Sequence, residues 1–210
     1  MVSPVTDSSL AHQISSRAAV AGLKVNAHVV DGCVSYVALL AKWTRTINLT
    51  ALPLTDPVPD SSIDKLVVEP LVAAAMFPSG EPAWIDLGSG GGSPAIPMRI
   101  ARPAGSLCMV ESRERKCTFL RELVRTLRLK RTEARAVRFE DLGSSRVADL
   151  ITLRAVRVDD VFSNVLDGLL ATDGLILSFG SPVLDARFRT EVERLLPDGS
   201  TLFLIRRADI

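Results

Sequence analysis

Residues 84–92 read Trp-Ile-Asp-Leu-Gly-Ser-Gly-Gly-Gly, an apolar run that ends in an acid and then a glycine-rich turn. Gly88, Gly90 and Gly92 let the backbone turn tightly and come close to a ligand. Glu111 closes the next apolar run, Leu107-Cys108-Met109-Val110, where a carboxylate is placed to accept hydrogen bonds from a ribose. Two nucleoside cofactors compete for such a layout. A nicotinamide dinucleotide would set its pyrophosphate close to Asp86, two residues before Gly88, and Coulomb repulsion disfavours that. S-adenosylmethionine has no phosphate and carries a sulfonium and an ammonium, which an acid suits, so it is the expected cofactor. A structural turn without a ligand is the bland alternative, and the backbone entropy of three closely spaced glycines weighs against it.

The elements that must hold these residues follow from the hydrophobic patterning. From residue 82 onward short apolar runs alternate with helical ones. Strands are expected at 83–87, 106–111, 133–138, 148–153, 174–179 and 201–206, with helices at 94–101, 114–128 and 158–170. This alternation predicts an α/β fold with a mainly parallel sheet and right-handed crossovers, which binds ligands at the carboxyl ends of its strands. The glycine turn, Glu111 and Arg154 all fall at such ends. Residues 183–197 suit a helix through Phe188, Val192 and Leu195, but an antiparallel strand fits the interval as well. Ahead of the sheet, residues 9–23, 27–47 and 64–76 have helical patterning, with a proline-rich loop at 53–62 and residues 1–8 expected to be disordered. Residues 1–60 therefore read as an N-terminal helical extension and linker, and 61–210 as the nucleoside-binding domain. Trp43 lies on the apolar stripe of the second helix and reads as core.

Composition limits the rest. Of the 210 residues 47% are apolar, so a packed globule is expected. No apolar run is long enough to cross a bilayer, and no secretory signal is visible. Cys33, Cys108 and Cys117 are scattered and odd in number, and His12 and His28 are the only histidines. Neither a disulfide framework nor a metal site is expected, and a cytoplasmic location follows. The net charge of +1 hides an uneven distribution: ten basic residues lie between Arg113 and Arg138, against Glu114, Glu122 and Glu133. On helix 114–128, Arg121, Arg125 and Arg128 share the solvated face, and Lys130 and Arg131 extend it. Such a face is either a candidate phosphate contact for a nucleic acid or a solvated helix surface.

Five segments in register resemble the RsmG (GidB) family of small-subunit ribosomal RNA guanine-N7 methyltransferases. They are Tyr36–Trp43 running into Ile47-Asn48-Leu49-Thr50; Ile85 to Pro97 through the glycine turn; Glu111-Ser112 with Arg115-Lys116 and Phe119-Leu120-Arg121; Arg138 with Glu140-Asp141; and Asp149 with Leu153-Arg154-Ala155. The resemblance covers roughly residues 30–180. It implies a Rossmann-type, class I S-adenosylmethionine-dependent methyltransferase with an N-terminal helical extension. Its substrate would be 16S rRNA in the small ribosomal subunit, and a monomer is expected.

Carried over by position, Gly88, Gly90 and Gly92, with Ser89 between them, would line the methionine end of the cofactor. Glu111 and Ser112 would hold the ribose, the stretch Arg138-Phe139-Glu140 would flank the adenine, and Asn48 and Arg154 would lie near methyl transfer. Guanine N7 carries a free lone pair at neutral pH, so no general base is required, and none is evident in the sequence. Arg154 would orient the base or grip a phosphate, or else form a structural salt bridge. Asn48 would bond the base or cap its helix. Two departures remove positive charge: Asp60-Ser61 or Ser61-Ser62 stands where the family has Arg-His, and Phe179-Gly180 where it has Lys-Gly. They motivate two alternatives, a divergent member that binds cofactor or RNA without this activity, and a methyltransferase with another substrate.

Overall fold

The computed structural model describes residues 7–156 and 159–208. The N-terminal stretch expected to be disordered lies outside these residues, except for its last two, which open helix α1 (Asp7–Val20). Helix α2 (Ala27–Thr44) begins at Asn26, whose side chain accepts from the Val29 N–H at 3.0 Å and so caps the first turn. Next comes one continuous helical rod: α3 (Asp60–Ile63), a π-helical stretch (Asp64–Val68), α4 (Glu69–Ala73) and a closing 3₁₀ turn (Ala74–Met76). Its start lies four residues ahead of the predicted one, inside the proline-rich loop.

The sheet has seven strands in the order β3-β2-β1-β4-β5-β7-β6. They are β1 (Ala83–Leu87), β2 (Ser106–Val110), β3 (Thr132–Arg135), β4 (Ala148–Arg154), β5 (Leu170–Phe179), β6 (Phe188–Leu195) and β7 (Thr201–Arg207). The first five run parallel, and β7 pairs antiparallel with both β5 and β6. Helices α5 (Ala95–Ala101), α6 (Glu114–Thr126) and α7 (Asp160–Leu169) fill the crossovers.

Alternation along the strands divides the core. On one face Trp84, Leu107, Met109, Leu150 and Leu177 pack with Ile96, Phe119, Leu120 and the apolar sides of α1 and α2. On the other, Leu87, Val110, Ile151, Leu153 and Ile176 pack with Phe162, Leu166 and Leu169 of α7. Leu10 and Ile14 of α1 share the first cluster with the sheet itself.

Three predicted boundaries shift. Residues 183–197, left open between helix and strand, contain β6: Phe188 to Leu195 pairs antiparallel with β7 in register from Arg207 to Thr201. Residues 189–193 are all exposed, as befits an edge strand, and Glu191 bonds Arg206 of β7. A seventh strand therefore joins the six predicted. β5 starts at Leu170 directly after α7, four residues early, because Leu170 pairs with Ala148 across an irregularity in the ladder. β3 stops at Arg135 rather than 138, since its neighbour β2 ends at Val110, the residue opposite. No helix among the described residues is long and apolar enough to cross a membrane.

Candidate cofactor site at the glycine turn

The turn after β1 is held mainly by backbone. The Gly88 and Ser89 N–H groups donate to the Val110 carbonyl at 2.9 and 3.0 Å, which ties the turn to the end of β2. Glu111, buried at that same end, accepts from the Gly90 N–H at 3.0 Å and from the Arg113 N–H at 2.8 Å. One carboxylate thus spans the glycine turn and the start of α6. Gly88, Gly90 and Gly92 take positive φ of 76°, 51° and 90°, where side-chain-bearing residues are strained.

Gly91 is needed for a different reason. A Cβ there would lie 2.9 Å from the Leu49 carbonyl oxygen. Behind it, the Tyr36 hydroxyl donates to the Gly91 carbonyl at 3.0 Å. Sequence reasoning missed both contacts. Tyr36, the chain's single tyrosine, opens the resembling segment Tyr36–Trp43, and nothing in that segment points to Gly91.

Asp86 lies under the turn, 1% exposed. Its backbone carbonyl accepts from Ser89 Oγ at 3.1 Å, and Oδ1 accepts from Thr152 Oγ1, which accepts in turn from Trp84 Nε1 at 2.9 Å. Oδ2 is buried with no hydrogen-bond partner. Burial pushes this carboxyl up to about 6, against the hydrogen bonds of Ser89 and Thr152 and the charge of Arg154. The expectation of an acid at the mouth of the turn is refined: Asp86 acts from beneath it.

Arg154, at the end of β4, does not project into open space. Its Nη1 donates to the Lys65 carbonyl and to Ser93 Oγ, and Nη2 donates to Glu69 Oε2 at 2.6 Å. Its guanidinium stacks 4.3 Å from the Phe179 ring centroid. Of the two readings that the sequence offers for Arg154, a grip on substrate and a structural salt bridge, the structure shows the salt bridge, and the side chain is engaged by it. Burial pulls the Arg154 guanidinium down, and it pushes Glu69 up to about 8. Glu69 Oε1 and Arg154 Nε are buried without hydrogen-bond partners. The residue after Arg154, Ala155, has φ of 56°, a strained conformation at the mouth of the site.

The remaining predicted residues divide. Asn48 is exposed and caps nothing, since α2 ends at Arg45; the adjacent Leu49 carbonyl backs Gly91, which sets Asn48 at the rim of the turn. Ser112, Arg138 and Glu140 are exposed, and Phe139 packs edge-on against Phe162 at 4.9 Å. On α6 and just beyond it, Arg121, Arg125 and Arg131 are ion-paired to Glu114, Glu122 and Glu81 at 2.8, 2.7 and 2.6 Å. Arg128 and Lys130 are exposed. Trp43 packs against Phe119 at 5.7 Å, as a core residue should.

The donor set fits a cationic nucleoside. Two carboxylates, Asp86 and Glu111, meet a turn that holds no lysine or arginine, and one Asp86 oxygen is unsatisfied. Strand order, glycine turn and acid after β2 together define a class I S-adenosylmethionine-dependent methyltransferase fold. Solved structures agree at the level of fold. A SAM-dependent methyltransferase from Aquifex aeolicus matches with a TM-score of 0.55 at 14% identity, covering 69% of this chain and 95% of that one. The B. subtilis M1A22 tRNA methyltransferase TrmK matches at 0.52 and 17% identity, covering 70% and 68%.

The family model for rRNA small subunit methyltransferase G (GidB) matches residues 31–187. Ribosomal RNA small subunit methyltransferase G of Xanthomonas oryzae pv. oryzae is 32% identical over 180 residues, 83% of this chain and 77% of the relative. The protein of that name from Laribacter hongkongensis is 36% identical over 166 residues, 79% and 77% of the two chains. The chain belongs to the GidB (RsmG) family.

Proposed function

We propose that this protein uses S-adenosylmethionine to methylate N7 of a guanine in the 16S rRNA of the small ribosomal subunit. The observation that carries the reading is the Glu111 carboxylate joined to the Gly90 N–H, with the half-satisfied Asp86 carboxylate beneath the same turn. Family membership supports the RNA substrate.

Bound at this turn, S-adenosylmethionine supplies an electrophilic methyl group. The chain's own residues bind and orient. Glu111 holds the ribose with the Ser112 segment beside it, and Gly88, Ser89, Gly90 and Gly92 present backbone to the methionine end. The Arg138-Phe139-Glu140 segment flanks the adenine, with Phe139 held in place by Phe162. Asp86 sets a negative potential under the cationic end. Asn48, free at the rim, bonds the incoming base. Arg154 acts as a positioning residue: pinned by Glu69, Lys65 and Ser93, it fixes the end of β4 against the helical rod. No general base is required for a nitrogen that already carries a lone pair. The rate then rests on alignment, a contribution of roughly 7–11 kcal/mol where geometry is near ideal.

The protein works as a cytoplasmic monomer without metal in this reading. Residues 1–60 serve as extension and linker, and 61–210 as the methyltransferase domain. The test is incubation with methyl-labelled S-adenosylmethionine and small subunits from a strain lacking the gene, followed by nucleoside analysis. Labelled 7-methylguanosine in 16S rRNA is expected. Label absent from that nucleoside would overturn the reading, and label in another nucleoside would favour a methyltransferase with a different target.

A further inference from the structure

The basic residues of the 113–138 stretch fall into two groups with different chemistry. Along the outer length of α6 and its exit, Arg121, Arg125 and Arg131 each have a carboxylate partner at 2.8 Å or closer. At the other end, Arg113 at the N-cap and Arg115 and Lys116 on the first turn of α6 have no side-chain partner for their cationic groups among the described residues. Glu114 lies among them but is taken by Arg121.

Three cations on the first turn run against the helix dipole, which favours anions there. Their position explains what they gain. The Arg113 N–H donates to Glu111 Oε1, the carboxylate that also holds the glycine turn, so this cluster borders the cofactor site. Across the β2–β3 register Arg135 lies opposite Val110, and Arg138, also exposed, follows three residues later. Near the opposite edge of the sheet, Arg187, Arg206 and Arg207 are bonded to Asp185, Glu191 and Asp167.

We infer that Arg113, Arg115 and Lys116 form the docking surface for the RNA phosphate backbone, and that the paired arginines farther along α6 do not. This replaces the paired Arg121, Arg125 and Arg131 as principal RNA contacts, leaves the exposed Arg128 and Lys130 as flanking ones, and rests on RNA being the substrate as proposed above. An unpaired cation meeting a phosphate releases counterions, whereas a paired arginine must first give up its carboxylate.

The experiment is filter binding of protein-free small-subunit rRNA between 50 and 300 mM salt (about the range where the salt term dominates). It compares the native chain with R113Q/R115Q/K116Q and R121Q/R125Q/R131Q, each checked for an intact thermal transition. R115E/K116E, at positions in the solvated first turn, serves as a second variant if the first triple unfolds. In the first triple, affinity at moderate salt should fall by about tenfold or more, and the log–log salt slope should lose about 2 units, near 0.7 per phosphate contact. The second triple should keep its slope within about 1 unit.

Equal losses in both triples, a larger loss in the second, or no salt-dependent binding by the native chain would each overturn the inference. Methyl transfer to intact subunits, measured in parallel, tells the two readings apart. Transfer by the native chain with an unchanged slope in the first triple sinks the docking surface alone. The expected slopes without any transfer sink the methyl-transfer reading and leave the surface standing.

Discussion

The two halves of the carboxyl edge of the sheet are built by opposite means. At β1 and β2 the edge is held by backbone amides, gathered by the Val110 carbonyl and the Glu111 carboxylate. At β4 and β5 it is held by side chains: a cation on Arg154 clamped by Glu69, Lys65 and Ser93 and laid on Phe179. Backbone needs glycines of fixed spacing to make such a turn, and here Glu111 and Tyr36 bond it from outside. A buried ion pair needs several distant residues at once, and it is costly if any one is lost. The first half therefore rests on one local stretch of chain, whereas the second depends on side chains far apart in sequence.

Breaking the second half should cost most. Above about pH 8, where Glu69 is ionised, Glu69→Ala leaves the Arg154 guanidinium buried with its carboxylate gone, and breaking such a pair typically costs roughly 3–5 kcal/mol. Thermal unfolding should show a drop of many degrees, whereas Glu69→Gln, which keeps a hydrogen-bond acceptor, should lose less than half of that. Equal, small losses in both would mean that the pair does not hold the edge together.

In the first half the expected loss is in binding. Glu111→Ala removes an acceptor of two backbone N–H bonds and of the ribose. Hydrogen bonds to charged groups are worth about 1.5–3 kcal/mol each, so affinity for S-adenosylhomocysteine should fall at least tenfold while the fold persists. Phe179→Leu tests the stacking separately. A desolvated cation–π contact is worth about 2 kcal/mol, so stability should fall by about that much or less, with cofactor affinity unchanged.

The effects of pH have opposite signs in binding and in folding. Ionised Asp86 favours a cationic ligand, so affinity for S-adenosylmethionine should rise as pH increases through about 6 and level off above it. Asp86→Asn should flatten that profile. For folding, Glu69 is raised to about 8 by burial, with Asp198 adding to the shift and the charge of Arg154 opposing it. Between the ordinary carboxylate range and about 8 the unfolded chain has released a proton that the native state still holds. Stability should therefore be greatest at the acid end of that window, decline through it and be flat above. Glu69→Gln should remove the decline, which chemical denaturation at several pH values would reveal.

The same contrast explains what could be read from the sequence. Gly88, Gly90, Gly92, Asp86 and Glu111 belong to one short stretch of β–turn–helix–β, where spacing alone sets geometry, and the structure gathers them. Arg154 was legible as a residue at a strand end that grips substrate or forms a salt bridge, but its partners were not, because Glu69 and Lys65 approach from a helical rod some 85 and 89 positions away. Tyr36 and Leu49 support the turn from 55 and roughly 42 positions upstream of Gly91, beyond the reach of any local pattern. β6 escaped assignment because an exposed edge strand lacks the alternation that burial imposes. Its pairing with β7, rather than its own sequence, makes it a strand.

The most direct test of the cofactor site is calorimetric titration of S-adenosylhomocysteine into the native chain and into Glu111→Ala. Saturable binding by the native protein, with affinity reduced at least tenfold in the variant, is the predicted result. Equal affinities, or no binding by the native chain, would contradict the assignment of the glycine turn and Glu111 as the cofactor site.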